Sequence, residues 1–218
     1  MRITMIGAGN VGGTLGRRWA AAGHDVTFGP RRGADGGDVK GSDALPSNVR
    51  VAPLSESVRG ADVVVLATPW DAARDALLAA GAASGAFDRV TLIDATNPIG
   101  RGLTLLAGEG GVSGAEQLQA LVPRAKVVKA FNTTGYENMR DPVYDGVPSV
   151  MFYAGDDAGA KRQTAQLATD LGFDAVDAGA LIRARELEHL AILWISMAIG
   201  GMGRNIAAAA ARTAHAPT

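Results

Sequence analysis

The sequence predicts an α/β fold in which a doubly wound, mainly parallel sheet is followed by a C-terminal helical segment. Strand-length apolar runs alternate with helical patterns along nearly all of the 218 residues. The run at residues 61–69 is centred on an unbroken apolar stretch, which is typical of a strand buried on both faces. A glycine-rich turn separates the first strand from the first helix. Together these observations favour parallel strands joined by right-handed helical crossovers.

The predicted elements follow one another in a regular order. Strands are predicted at residues 2–7, 24–29, 49–53, 61–69, 89–98, 125–132, 148–155 and 173–179. Helices are predicted at residues 10–23, 70–80, 115–123, 158–172 and 180–212. Residues 30–47 are rich in Gly, Asp and Ser and are predicted to form a loop. We therefore divide the chain into a sheet domain at residues 1–179 and a helical segment at residues 180–218.

The composition excludes several classes of function. The net charge is −1 and the isoelectric point about 6.3, so we expect no basic surface for nucleic acid or for an anionic membrane. The chain has no cysteine, which excludes disulfides and thiolate metal sites. The longest apolar run, residues 190–203, is shorter than the roughly 20 residues that a membrane span needs. We expect a cytoplasmic protein without a secretory leader, because a strand begins almost at the N-terminus.

Gly7, Gly9 and Gly12 form a G-x-G-x-x-G motif that follows the first strand and opens the first helix. Each glycine suits a dinucleotide: Gly7 allows a tight turn, Gly9 lets the backbone approach a pyrophosphate, and Gly12 lets the helix pack close to the strand. The helix N-terminus would offer free N–H groups to the phosphates. In this setting the motif predicts a Rossmann-like dinucleotide-binding domain at residues 1–179.

The charge at the end of the second predicted strand indicates which dinucleotide is bound. An acidic residue at this place holds the ribose of NAD, but the sequence here is FGPRR, with Arg31 and Arg32. Asp25 precedes the strand and is too early to serve. Two guanidinium groups can instead pair with a 2′-phosphate, although arginines in such a loop can also be merely solvated. We therefore predict NADP as the cofactor.

Polar and aromatic residues follow three further strands at the edge of the sheet where ligands bind. They are Thr68, Pro69 and Trp70 after the fourth strand, Thr96, Asn97 and Pro98 after the fifth, and Phe131, Asn132, Thr133 and Thr134 after the sixth. The hydroxyl and amide groups suit a nicotinamide carboxamide, and the rings of Trp70 and Phe131 offer flat apolar surfaces. Trp70 is equally suited to pack on the sheet, and Asn97 to form a turn before proline.

The sequence contains no evident acid–base or metal-binding constellation, and no catalytic side chain is assigned. His24 lies in a turn, His215 lies near the C-terminus, and His189 lies on a predicted helix. Glu186 and Glu188 are two residues apart and point to different sides of that helix. Hydride transfer between two bound rings requires orientation and exclusion of water more than a protein base. The absence is therefore compatible with an NADPH-dependent oxidoreductase.

The C-terminal segment is charged at its start and then apolar on nearly every face. Such a helix must be covered on more than one side. Gly200, Gly201 and Gly203 are unfavourable inside a helix, and indicate either close approach of a partner helix or a ligand, or a kink. We predict a homodimer that forms through this segment.

The chain resembles the family of NADPH-dependent reductases of the deazaflavin coenzyme F420. The resemblance covers nearly the whole chain and depends on four segments: MRITMIGAGNVGGTLGRRWAAAGHDVTFGPR, VVVLATPWDAARDAL, VVKAFNTTGYENM and DAGALIRARELEHLAILWI. It implies a hydride transfer between NADP(H) and coenzyme F420 as co-substrate.

The resemblance also implies roles for particular residues. The loop with Ala8, Asn10 and Val11 would wrap the pyrophosphate, Pro30 and Arg31 would take the 2′-phosphate, Thr68 to Trp70 would line the NADP cleft, and Phe131 to Thr134 would face the deazaflavin together with the C-terminal helix. The family has a serine where this chain has Pro30, which removes a hydroxyl and a backbone donor.

Two alternatives remain open on the sequence. The first is an NADPH-dependent reductase of another small acceptor, such as an imine, a flavin, a carbonyl or a ferric complex. The second is a module that binds NADPH without turnover and signals the redox state to a partner. The lack of an evident acid or base is compatible with both.

Overall fold

One eight-stranded sheet organises the chain. The computed structural model describes residues 1–30, 46–106 and 109–211. The strands in these ranges are Arg2–Ile6 (β1), Asp25–Gly29 (β2), Val49–Val51 (β3), Val63–Leu66 (β4), Thr91–Asp94 (β5), Lys126–Ala130 (β6), Val143–Tyr144 (β7), Val147–Pro148 (β8), Val150–Gly155 (β9) and Asp174–Gly179 (β10). The α-helices are Asn10–Ala21 (α1), Leu54–Ser57 (α2), Trp70–Ala79 (α3), Gly114–Leu121 (α4), Tyr136–Arg140 (α5), Ala158–Asp170 (α6) and Ala184–Met197 (α7).

The sheet has the order β10-β9-β6-β5-β4-β1-β2-β3, and the strands from β1 to β6 are parallel to one another. β9 runs antiparallel to β6, and β10 runs parallel to β9. The chain runs outward from β1 to β3 and then returns to β4 on the other side of β1. The strand order therefore reverses between β1 and β4, and a ligand crevice is expected at their carboxyl ends. This topology confirms the predicted doubly wound, mainly parallel fold.

Alternate residues of the central strands enter two separate apolar cores. Val63 and Val65 of β4 pack into one cluster with α1 and α6, whereas Val64 and Leu66 pack into the other with α3 and α4. All four side chains are fully buried, because helices cover both faces of the sheet. Trp19 ties α1 to α6 by donating its Nε1–H to the carbonyl of Leu167 at 2.9 Å.

The prediction of helix from residue 180 to residue 212 is wrong beyond α7. The helix continues only through a π-turn, Ala198–Met202, and residues 203–211 are not helical. Gly201 has φ +115° and Gly203 has φ +73°, which are left-handed conformations that end a right-handed helix. Beyond them the chain is held by tertiary contacts, such as the bond from the amide of Val150 to the carbonyl of Ala208 at 2.8 Å.

Several short elements escape the sequence pattern. α2 has four residues, α5 has five, and β7 and β8 have two each, which is too few for hydrophobic periodicity to be recognised. The hairpin also interrupts the strand predicted at residues 148–155, since β8 ends at Pro148 and β9 begins at Val150. Most of the predicted loop at residues 30–47 lies outside the described residues.

Candidate functional site

The glycine motif forms a tight turn at the carboxyl end of β1. Gly7 has φ +106°, and a Cβ atom there would lie 2.6 Å from the carbonyl oxygen of Ala67. A Cβ atom at Gly12 would lie 2.0 Å from the carbonyl oxygen of Gly7, so α1 packs directly on the turn. By contrast, a Cβ atom at Gly9 would meet nothing within 4 Å. Two of the glycines are thus required by packing, while the third borders open space.

The N-terminus of α1 presents backbone donors beside that open space. Gly9 is the N-cap of the helix and makes no side-chain capping bond. The first helical hydrogen bond runs from the amide of Gly13 to the carbonyl of Gly9 at 2.7 Å. The amides of Asn10, Val11 and Gly12 therefore precede the helical ladder, and the helix dipole places partial positive charge at this end. Such an arrangement suits a phosphate.

The segment after β4 lies beside the glycine turn. Thr68 is partly buried, and its Oγ1 atom is enclosed without a hydrogen-bond partner among the described residues. Pro69 is exposed and caps α3. The ring of Trp70 packs against the first residue of α4, where a Cβ atom at Gly114 would lie 3.0 Å from it. The alternative in which Trp70 packs within the fold is thus realised for at least part of its ring.

The ends of β5 and β6 are joined by two asparagines, which we call the asparagine pair, Asn97 and Asn132. Nδ2 of Asn97 donates to the carbonyl of Asn132 at 2.9 Å, and Nδ2 of Asn132 donates to Oδ1 of Asn97 at 3.0 Å. Nδ2 of Asn132 also donates to the carbonyl of Leu187 on α7 at 3.0 Å. Oδ1 of Asn132 is buried and has no partner among the described residues. An unpaired buried acceptor at a strand end is a feature that a ligand donor would satisfy.

The remaining residues of these segments differ in their surroundings. Pro98 and Thr133 are buried, whereas Thr134 is partly buried and its Oγ1 accepts a bond from Nδ2 of Asn138 at 2.7 Å. Thr96 bonds to its own strand end, through its hydroxyl to Oδ1 of Asp94 at 2.7 Å. The hydroxyl groups of Thr96 and Thr134 are thus both engaged in hydrogen bonds within the fold.

Phe131 does not offer its ring to the cleft, which corrects the sequence expectation. Its side chain is 1% exposed and lies in the core, with the ring edge-on to Trp19 and Phe173 at centroid distances of 5.4 and 6.4 Å. Its φ of +60° is unusual for a residue with a side chain, and it turns the chain at the end of β6. Any contact of Phe131 with a substrate would therefore come from its backbone.

A buried ion triad lies next to the asparagine pair and is missed by the sequence reasoning. We call it the Lys129 triad; it consists of Lys129, Asp94 and Glu188. Nζ of Lys129 lies 2.9 Å from Oδ2 of Asp94 and 3.0 Å from Oε1 of Glu188, and it donates to the carbonyl of Thr96 at 2.7 Å. All three side chains are 0% exposed. Burial lowers the pKa of Lys129, but the two carboxylates outweigh it and hold that pKa above its ordinary value.

The two carboxylates of the triad are also bonded to backbone. Oδ1 of Asp94 accepts from the amide of Thr96 at 2.9 Å. Glu188 accepts from the amides of Gly114 and Ala115 at 3.1 and 3.4 Å, at the start of α4. The signal available in the sequence was a lysine between apolar residues of a predicted buried strand, since such a lysine must find buried partners.

Other predicted residues have structural roles or lie outside the described residues. His24 is buried, and its Nε2 lies 2.8 Å from Oδ2 of Asp170, as expected for a structural residue. Arg31 and Arg32 lie outside the described residues, as does His215. Within the described ranges, no group of three His, Cys, Asp or Glu side chains is placed to hold a metal ion. In the same ranges, no helix combines the length and apolar character needed to cross a membrane.

Comparison with known proteins identifies relatives over the whole chain. The model of the family described as NADP oxidoreductase, coenzyme F420-dependent, matches residues 2–98. A crystal structure from Arthrobacter sp. FB24, proposed to be an F420-dependent NADP reductase, is 33% identical with a TM-score of 0.82, and the match covers 97% of this chain and 99% of that one. A hypothetical protein from Sinorhizobium meliloti is 32% identical with a TM-score of 0.68, covering 84% and 85% of the two chains.

A more distant relative is a longer protein, of which only part matches this chain. The rat metalloreductase STEAP3 (Rattus norvegicus) is 26% identical over 189 residues, which are 87% of this chain but only 36% of that protein. This chain therefore spans about a third of that relative. The fold, the glycine turn and the full-length match to the Arthrobacter structure agree with one another. The chain belongs to the family of coenzyme F420-dependent NADP oxidoreductases, and it is an NADP-dependent oxidoreductase.

Proposed function

We propose that the protein transfers a hydride between NADP(H) and a deazaflavin of the coenzyme F420 type. The observation that carries the proposal is the set of polar groups without hydrogen-bond partners at the carboxyl ends of the strands. The first turn of α1 faces open space at Gly9, and two enclosed oxygen atoms, Thr68 Oγ1 and Asn132 Oδ1, have no partner among the described residues. Family membership supports the deazaflavin as the acceptor.

The residues fit an NADP molecule. In this proposal, the pyrophosphate is held by backbone amides of the loop from Gly7 to Gly12, where the helix dipole favours negative charge. Arg31 and Arg32 take the 2′-phosphate through charge-assisted hydrogen bonds. The segment from Thr68 to Trp70 lines the cleft, and the asparagine pair with Pro98 orients the nicotinamide carboxamide. When bound, NADPH supplies one hydride, which leaves the nicotinamide ring with a positive charge.

The acceptor is proposed to lie against Asn132, Thr133, Thr134 and the backbone of Phe131, beside α7. A deazaflavin takes up the hydride and one proton from solvent, so the overall reaction consumes NADPH, acceptor and one proton. In this scheme the protein binds and aligns two rings and excludes water between them, and no side chain has to act as a base.

The test is to mix the purified protein with NADPH and oxidised coenzyme F420 and to follow the visible absorbance of the deazaflavin. Rapid bleaching with NADPH and little with NADH is the expected result. NADPH binding without bleaching would move the proposal to another acceptor. No binding of NADPH would contradict the cofactor site itself.

A ferric complex is a second candidate acceptor, favoured by the similarity to the rat metalloreductase over 87% of this chain. One NADPH can reduce two Fe³⁺ to two Fe²⁺, with release of NADP⁺ and one proton. Oxidation of NADPH by ferric citrate, measured without coenzyme F420, tests this candidate. Turnover with the chelate and none with the deazaflavin would replace the first proposal.

We also propose that the segment after residue 179 forms a homodimer interface in addition to lining the acceptor side. Three apolar side chains of α7 and the following π-turn are exposed in the isolated chain: Leu193 by 54%, Ile199 by 71% and Met202 by 65%. Burial of these exposed side chains against a second copy of the chain would favour association. Light scattering coupled to gel filtration is expected to give twice the 22.3 kDa chain mass, and Ile199→Glu is expected to give the monomer mass.

A further inference from the structure

The Lys129 triad carries an excess negative charge within the fold. Asp94 accepts hydrogen bonds from Lys129 and from the amide and hydroxyl of Thr96. Glu188 accepts from Lys129 and from the amides of Gly114 and Ala115. One ammonium and two carboxylates sum to a charge of −1. A single carboxylate would balance Lys129, so the second one adds charge where desolvation is costly.

The triad is connected at two points to the asparagine pair. Nζ of Lys129 donates to the carbonyl of Thr96, the residue before Asn97. Nδ2 of Asn132 donates to the carbonyl of Leu187, the residue before Glu188. The charged groups of the triad are therefore adjacent in the structure to Asn97 and Asn132, the residues proposed to orient the nicotinamide. Water and salt screen the excess charge much less than a surface charge, because all three side chains are fully buried.

We propose that the Lys129 triad favours the oxidised cofactor, and so makes NADPH a better hydride donor in this protein. This inference rests on the proposed function. The nicotinamide ring is neutral in NADPH and positive in NADP⁺, so a nearby negative charge stabilises only the oxidised form. Unit charges roughly 12 Å apart in a medium of effective permittivity about 20 change an equilibrium about tenfold. The triad thus acts on the cofactor through its field rather than by contact.

The experiment compares the wild type with Glu188→Gln, which removes one charge and keeps the side-chain shape. The dissociation constants of NADPH and NADP⁺ are measured separately by titration calorimetry at pH 7. The ratio of the NADP⁺ constant to the NADPH constant is expected to rise about tenfold in the variant, because only the positive ring loses a favourable interaction. This corresponds to a rise of about 30 mV in the potential of the bound couple.

The matched control is Glu116→Gln, which removes a carboxylate of α4 that pairs with Arg185 instead of joining the triad. Its ratio is expected to stay within about twofold of wild type. An unchanged ratio in Glu188→Gln, with both nucleotides weakened equally or not at all, would mean that the triad only anchors α4 and α7, and the proposal would be wrong.

A second variant covers the case in which Glu188→Gln does not fold. Asp94→Asn makes the same change of charge from β5 and is expected to raise the ratio in the same direction. A wild-type protein that binds neither nucleotide would overturn the proposed function. Binding of both with an unchanged ratio in either folded variant would overturn only the role of the triad.

Discussion

The glycine turn and the Lys129 triad lie at the same edge of the sheet, but they differ in whether their polar groups have hydrogen-bond partners. At the turn, the first amides of α1 precede the helical ladder, and Gly9 borders open space. In the triad, the ammonium has three acceptors and both carboxylates have additional donors. Buried polar groups are normally paired, so unpaired groups next to open space indicate a place for a ligand. Fully paired ones indicate an internal support.

Substitutions in the two regions are therefore expected to change different measured quantities. A change in the triad is expected to affect the folded state before any ligand is added. A change in the open groups of the turn is expected to affect binding while stability is kept. The largest effect is expected where a buried charge loses its partner.

Lys129→Met is expected to lower the free energy of unfolding by about 3–5 kcal/mol, because Asp94 and Glu188 are left buried without a counter-charge. Urea denaturation followed by circular dichroism measures the change. The control is Lys126→Met on the same strand, whose partner Asp157 lies at 3.2 Å in an exposed pair. That variant is expected to lose less than about 1 kcal/mol. Equal losses would contradict the contrast between buried and exposed pairs.

Gly12→Ala and Gly9→Ala separate packing from binding within one turn. The added methyl group at Gly12 would lie 2.0 Å from a backbone oxygen, so a loss of about 2 kcal/mol or more in unfolding free energy is expected. At Gly9 the methyl group meets nothing within 4 Å, and stability is expected to change by less than about 0.5 kcal/mol. Binding of NADPH and NADH to Gly9→Ala, measured by fluorescence titration, is nonetheless expected to weaken together. Retained binding of either would remove the loop from the pyrophosphate site.

Arg31→Ala combined with Arg32→Ala tests the proposed contact with the 2′-phosphate, because both arginines lie outside the described residues. The dissociation constant of NADPH is expected to rise roughly thirtyfold, which is a loss of about 2 kcal/mol in binding free energy, because charge-assisted bonds to the 2′-phosphate are lost. NADH lacks that phosphate and serves as the internal control, with affinity nearly unchanged. If both nucleotides weakened to the same extent, the assignment of NADP to these arginines would fail.

Thr68→Val and Thr4→Val compare an unpaired hydroxyl with a paired one. Oγ1 of Thr68 has no partner among the described residues, whereas Oγ1 of Thr4 donates to the carbonyl of Ser57. We expect Thr4→Val to lower the free energy of unfolding by about 1 kcal/mol and Thr68→Val to leave it unchanged, since only the first substitution removes a hydrogen bond. Thermal denaturation measures both. NADPH affinity is expected to fall in Thr68→Val alone.

The smallest effect concerns an ion pair at the surface. The hydrogen bond from Arg185 holds the pKa of Glu116 down to about 2, from an ordinary value of 4.5. A lowered pKa stabilises the folded state above pH 4.5, and this contribution is lost as the pH falls toward 2. The difference in melting temperature between wild type and Glu116→Gln is therefore expected to be constant above about pH 5 and to shrink below it. A difference that grows in acid would contradict this.

Much of the fold could be predicted because its signals are local. Alternation of strands and helices, the buried pattern of β4 and the setting of the glycine motif each depend on fewer than about twenty neighbouring residues. The end of α7 could not be predicted in this way. The alanine-rich stretch after Gly203 has a helical composition, yet its backbone is held by tertiary bonds such as that from Val150 to Ala208.

The sequence indicates which residues lie at the ends of the strands. It does not indicate the direction in which each of their side chains points. Asn97 and Asn132 follow neighbouring parallel strands, so their convergence could be expected. The ring of Phe131 could not be placed, because the left-handed backbone at that residue turns its side chain into the core.

The sequence by itself determined the order of the elements, the Rossmann-like class, and the family, since these depend on short motifs and periodic patterns. Only the tertiary structure decided which polar groups have hydrogen-bond partners within the fold and which do not. Lys129 finds one partner 35 residues earlier and another 59 residues later, and no local pattern records such a meeting. Electrostatic pairing acts through space, so its outcome is known only once the strands and α7 have been packed together.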